Sequence, residues 1–108
     1  MLTSEQTDFY EQNGYLMVED VITKEQLNKL QDITYDFIES SRQVTENNDV
    51  FDLDEGHSSA TPRLTRIKLP HKQNKYFDEI LKKSGVTEVL RDLLGDHATL
   101  LTLSLIHI

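Results

Sequence analysis

Residues Thr61 to Pro70 read TPRLTRIKLP, an alternating run held between Pro62 and Pro70. Successive side chains of a strand point to opposite sides of its sheet, so the run divides into two faces. Leu64, Arg66 and Lys68 fall on one face, and Thr65, Ile67 and Leu69 on the other. Two cations among apolar neighbours are unusual on a plain core strand. Such a face is either a solvated edge or the wall of a cavity that holds something anionic.

Immediately upstream, from Ser40 to Pro62, hydrophobic periodicity disappears. Glu46, Asp49, Asp52, Asp54 and Glu55 fall here, with no Lys or Arg between Arg42 and Arg63. A loop of this length without secondary structure is usually functional or disordered. Phe51 and Leu53 alternate with acids, which predicts that part of the loop folds over the body as an ordered flap. Asp54-Glu55-Gly56-His57 has residue types that bind iron or zinc. Its spacing matches no metal motif, and the reading preferred is a solvated loop.

Further upstream, Leu2 to Gly14 reads as a helix, with Thr3 and Gln6 spaced for a capping box and Gly14 as a left-handed stop. Tyr15 to Glu19 (YLMVE) reads as a short strand covered by Phe9 and Tyr10. Thr23 and Gln26 repeat the capping pattern. In the helix that follows, Leu27, Leu30, Ile33, Phe37 and Ile38 form one buried stripe. Downstream of Pro70, a helix is predicted over Asn74 to Lys83, with Tyr76, Phe77, Ile80 and Leu81 inward. Ser84-Gly85 breaks it, and Val86 to Leu94 makes another helix, with Val86, Val89, Leu90 and Leu93 inward. Gly95 ends that helix, and Asp96 to Thr102 (DHATLLT) reads as a strand entering the core. His71 and His97 flank these elements and read as surface or capping residues. The last six residues, LSLIHI, could continue that strand. They also translate the end of a transposase adaptor, so residues 103–108, His107 included, are expected to be a non-native tail on a domain spanning 1–102.

The 108 residues suit one small domain. A net charge of −8, from 11 basic and 19 acidic residues, excludes nucleic acid as a main partner, because phosphate binding needs a concentrated basic surface. It equally gives no support for an anionic membrane surface. No run reaches the length of a membrane span, and the N-terminus has no basic-then-apolar signal pattern. Without cysteine there is no disulfide framework, thiolate nucleophile or Cys-based zinc site. A cytoplasmic setting is the default expectation.

LTSEQTDFYEQNGYLMVEDVITKEQLNKL, PRLTRIKLPHKQNKYFDEIL and VTEVLRDLLGDHATLL occur in this order. Together they resemble the N-terminal part of the phytanoyl-CoA dioxygenase family, from about residue 2 to residue 102. The resemblance implies an iron(II)- and 2-oxoglutarate-dependent oxygenase acting on a small organic substrate. It also implies an α+β arrangement: a helical layer and the first strands of a double-stranded β-helix (jelly-roll), with the barrel incomplete. Iron in that family is held by a His-x-Asp pair and a distant His, leaving positions open for oxygen and co-substrate. His57, His71 and His97 are followed two residues on by Ser59, Gln73 and Thr99, and His107 by nothing, so the triad is missing. The chain is therefore expected to be a catalytically silent fragment that binds neither iron nor 2-oxoglutarate by itself. One family site has a counterpart. A basic residue on the strand before the amphipathic helix contacts 2-oxoglutarate, and the matching position is Arg66, with Lys68 on the same face. Arg replaces the usual Lys, and a guanidinium serves a carboxylate at least as well. The rival expectation is a small acidic α+β module that binds a protein and catalyses nothing.

Overall fold

A computed structural model describes residues 1–106 of the chain, so the expectation for His107 lies outside the described residues. Helix α1 spans Ser4–Asn13 and α2 spans Lys24–Ser40. Both begin on reciprocal capping boxes: Thr3 with Gln6, and Thr23 with Gln26. Gly14, at φ 79°, closes α1 by donating its N–H to the Tyr10 carbonyl at 2.8 Å. The positive φ is one that glycine adopts without steric cost. A 3-10 turn over Ser41–Gln43 follows α2, then β1 (Phe51–Leu53) and β2 (Leu64–Lys68). The chain continues through α3 (Pro70–Gln73), α4 (Lys75–Lys83), α5 (Gly85–Leu94) and β3 (Ser104–Ile106).

The three strands form an open antiparallel sheet in the order β1-β2-β3, so the molecule is α+β with β2 central. Ile67 pairs with Phe51 on one side and Leu105 on the other. Phe51 and Ile67 are buried, as is Ile80 of α4. Phe37 of α2 meets Phe77 of α4 at a ring separation of 6.3 Å, joining the two amphipathic stripes. The stripe of α2 is only half-buried, and Leu27 is exposed. In α5, Val86, Val89 and Leu93 are half-buried while Leu90 is exposed. Among the described residues no helix is long and apolar enough to cross a membrane.

Four local expectations are corrected. Tyr15 to Glu19 is not a strand: among the described residues its backbone forms no hydrogen bond, and Tyr15 and Met17 stand out into solvent. An apolar run makes a strand only where another strand supplies the ladder. Asp96 to Thr102 is exposed rather than a core strand; the strand that pairs with β2 begins at Ser104. The long loop is partly structured, since it contains the 3-10 turn and β1. Leu69 leaves the strand with φ 48° and ψ 53°. That left-handed residue turns the chain into α3, whose first residue is Pro70.

Candidate functional site

Arg66 and Lys68 extend from the central strand on the face opposite Ile67, as period-two alternation requires. The residue opposite Arg66 on β1 is Asp52, and its carboxylate receives both cations. Asp52 Oδ2 lies 2.8 Å from Arg66 Nε and 2.7 Å from the guanidinium NH2, while Oδ1 lies 2.8 Å from Lys68 Nζ. Lys68 Nζ also donates to the Asn48 carbonyl at 2.7 Å. The Lys68 hydrogen bond, followed by that of Arg66, holds the Asp52 carboxyl below the ordinary aspartate range, with burial opposing part of the shift. Arg66 NH1 has no hydrogen bond or ion pair among the described residues.

A cleft of about 420 Å³ opens beside this cluster, between Thr34 and Ile38 of α2 and Leu64, Arg66 and Ile67 of β2, with Leu105 of β3 closing one side. Arg66 lines the cleft and Lys68 does not. An apolar concavity with a convergent cation is the usual form of a small-molecule site.

The flap carrying Asp52 is fixed largely by side chains that bond backbone. Asn48 Oδ1 accepts from the Val50 and Phe51 amides, both at 2.8 Å, and Asn47 Oδ1 accepts from the Leu53 amide at 2.8 Å. Asp52 was legible only as one acid among five. Its place in Phe51-Asp52-Leu53 was the available signal, because that alternation sets it on the sheet face opposite Phe51.

His57 has a different role from a metal ligand. Its Nε2 lies 3.1 Å from the Ser41 carbonyl and 3.0 Å from that of Val44, so this nitrogen carries the hydrogen and donates. Nδ1 accepts from the Arg63 amide at 3.0 Å. Both ring nitrogens are thereby engaged in pinning the turn after α2 to the start of β2. Asp54 pairs with Arg63 at 3.0 Å. Among the described residues no three metal-ligating side chains are grouped to hold an ion. His71, on α3, has a buried Nδ1 without a hydrogen-bond partner among the described residues. His97 is exposed.

Residues 10–107 match the phytanoyl-CoA dioxygenase (PhyH) family. A Caenorhabditis elegans protein named "Probable phytanoyl-CoA dioxygenase" is 27% identical over 100 residues, covering 89% of this chain. The chain covers 32% of that relative, or about a third of its length. No solved structure shows a significant match. With nearly its whole length matched, the chain belongs to the phytanoyl-CoA dioxygenase family.

Proposed function

We propose that this chain is the co-substrate-side part of an iron(II)- and 2-oxoglutarate-dependent dioxygenase that hydroxylates a small organic substrate. In that reading the helices back a double-stranded β-helix of which the three-stranded sheet is the first portion. Arg66, assisted by Lys68, receives one carboxylate of 2-oxoglutarate, and the flap over residues 40–62 borders the pocket. The observation that carries the reading is that these two cations already hold a carboxylate, that of Asp52, at the edge of an apolar cleft. Charge-assisted bonds of this kind, from guanidinium and ammonium to carboxylate, are among the stronger hydrogen bonds available to a protein.

The iron does not fit the residues present. No His-x-Asp pair occurs, and His57 spends both ring nitrogens on backbone. No step of catalysis is therefore assigned to this chain. 2-Oxoglutarate, decarboxylated oxidatively to succinate and carbon dioxide, supplies the two electrons of such a hydroxylation. The residues of this chain contribute carboxylate binding, orientation from a central strand, and an apolar wall.

The test is binding and turnover on the 108-residue chain. The sequence leads to no expectation of 2-oxoglutarate binding without the iron ligands, but the preformed Arg66–Lys68 pair predicts weak binding in a calorimetric titration, falling at least tenfold in Arg66→Ala and less in Lys68→Ala. Binding that is indifferent to Arg66→Ala refutes the assignment. Incubation with iron(II), 2-oxoglutarate and oxygen should yield no succinate above background; turnover would show that the iron ligands lie within this chain after all.

A further inference from the structure

The Arg66–Lys68 pair is already occupied by the protein itself. Asp52 places one oxygen on the guanidinium and the other on the ammonium, all at 2.7–2.8 Å, so the contacts a free carboxylate would seek are taken. We propose that Asp52 is a placeholder carboxylate, which must swing away from Arg66 and Lys68 before a ligand carboxylate can replace it. This rests on the reading of Arg66 as a co-substrate contact and adds a regulatory step to it.

Three features favour exchange over a permanent cross-strand pair. Asp52 sits on a strand of three residues whose pairing with β2 shifts register between Asp52 and Leu53. Such a bulge leaves the ladder locally interrupted and re-aims the neighbouring side chain. The Asp52 side chain is 21% exposed, so solvent reaches the cluster without unfolding. Arg66 NH1, with no partner among the described residues, remains available for an entering carboxylate to contact first, before Asp52 departs.

A tethered carboxylate competes at an effective concentration of order millimolar or above, so ligand present below that level is largely excluded. Removing its charge should therefore tighten ligand binding, whereas a purely structural pair would weaken or spare it. The experiment is a calorimetric titration of the 108-residue chain and its variants with 2-oxoglutarate, followed in parallel at the Arg66 Nε–H resonance by NMR wherever Arg66 is retained. Asp52→Asn should bind at least tenfold more tightly than the native chain. Equal or weaker binding overturns the placeholder.

Loss of native binding in Arg66→Ala, together with no tightening in Asp52→Asn, overturns the placeholder alone and leaves the co-substrate contact standing. Absence of binding in every variant, or tight binding that survives Arg66→Ala, overturns both. A second measurement needs no variant. The Asp52 carboxyl carbon of the native chain should titrate at higher pH once 2-oxoglutarate has shifted the Arg66 resonance, because its two cations have been taken. An unmoved midpoint with ligand bound also overturns the proposal.

Discussion

Replacing Gly85 with alanine should destabilise the chain, although alanine is the better helix former. Gly85 is the first residue of α5, behind the Ser84 cap, whose Oγ accepts from the Val86 amide at 3.2 Å. A Cβ there would sit 3.2 Å from the Val21 carbonyl carbon and 3.4 Å from its Cα, with the Val21 oxygen closer still. Carbon atoms attract best at about 3.5–4.0 Å, so both contacts fall inside the optimum. The atoms met are backbone, and they are poorly placed to yield. Asp20 precedes Val21 at φ 57°, and Thr23 caps α2 two residues later. Overpacking of this kind costs about 1–3 kcal/mol. The propensity gain of Ala over Gly returns at most about 1 kcal/mol, and less at the first helical position. A net loss of about 1–2 kcal/mol lowers the melting temperature by roughly 5–15 °C in a domain of this size. Thermal denaturation followed by circular dichroism measures it, with Glu88→Ala, exposed on the same helix, as the control expected within about 0.5 kcal/mol of native. Gly85→Ala melting at or above the native chain would refute the wedge between α5 and Val21.

Ile67→Ala, at a buried residue between buried Phe51 and half-buried Leu105, should lose about 2–5 kcal/mol, read from urea denaturation; a loss under about 1 kcal/mol would mean the sheet carries little of the core. Acid stability should depend on Asp52. Its folded pKa is depressed, so its contribution is complete above the ordinary aspartate value of about 3.9 and is lost as pH falls through the lower folded value. The Glu39 carboxyl, lowered chiefly by its hydrogen bond from Arg42, titrates in the same direction. The comparison that isolates Asp52 is therefore native against Asp52→Asn: the native chain should lose more stability between neutral pH and acid, and parallel curves would refute the contribution.

Local chemistry was the legible part of the sequence. The opening of α3 at Pro70 was not legible, but two Thr-x-x-Gln boxes and Gly14 marked helix ends because their partners lie within four residues. The same holds for α4 and α5, whose caps Asn74 and Ser84 bond the Tyr76 and Val86 amides. Strands were harder, since a strand exists only with its partner. Tyr15 to Glu19 is a more continuous apolar run than β2 and remains unpaired among the described residues. Ser104–Ile106 pairs because it reaches the free edge of β2, a matter of path rather than composition. The basic face of β2 was readable from alternation alone. The carboxylate that fills it was not, because Asp52 comes 14 residues earlier, across a connection closed by the Asp54 amide on the Arg63 carbonyl and by His57.

The asymmetry between seat and occupant follows from strand position. Arg66 and Lys68 lie on β2, which is bonded on both sides, by β1 and by β3. Their Cα atoms are fixed by two ladders, and Ile67 between them is anchored in the core. Asp52 lies on an edge strand of three residues with a register shift beside it. Edge strands keep one row of backbone groups unpaired. The Asn47 and Asn48 side chains hold this one at its two ends, by the Leu53 amide and by the Val50 and Phe51 amides, rather than at Asp52 itself. A rigid pair of cations facing a carboxylate on a short, bulged strand is the arrangement in which the carboxylate yields and the cations stay. An entering ligand would then meet its contacts already oriented, losing side-chain freedom on neither Arg66 nor Lys68. The cost of entry falls on the flap, so substitutions at Asn47 or Asn48 should alter ligand affinity without touching the seat.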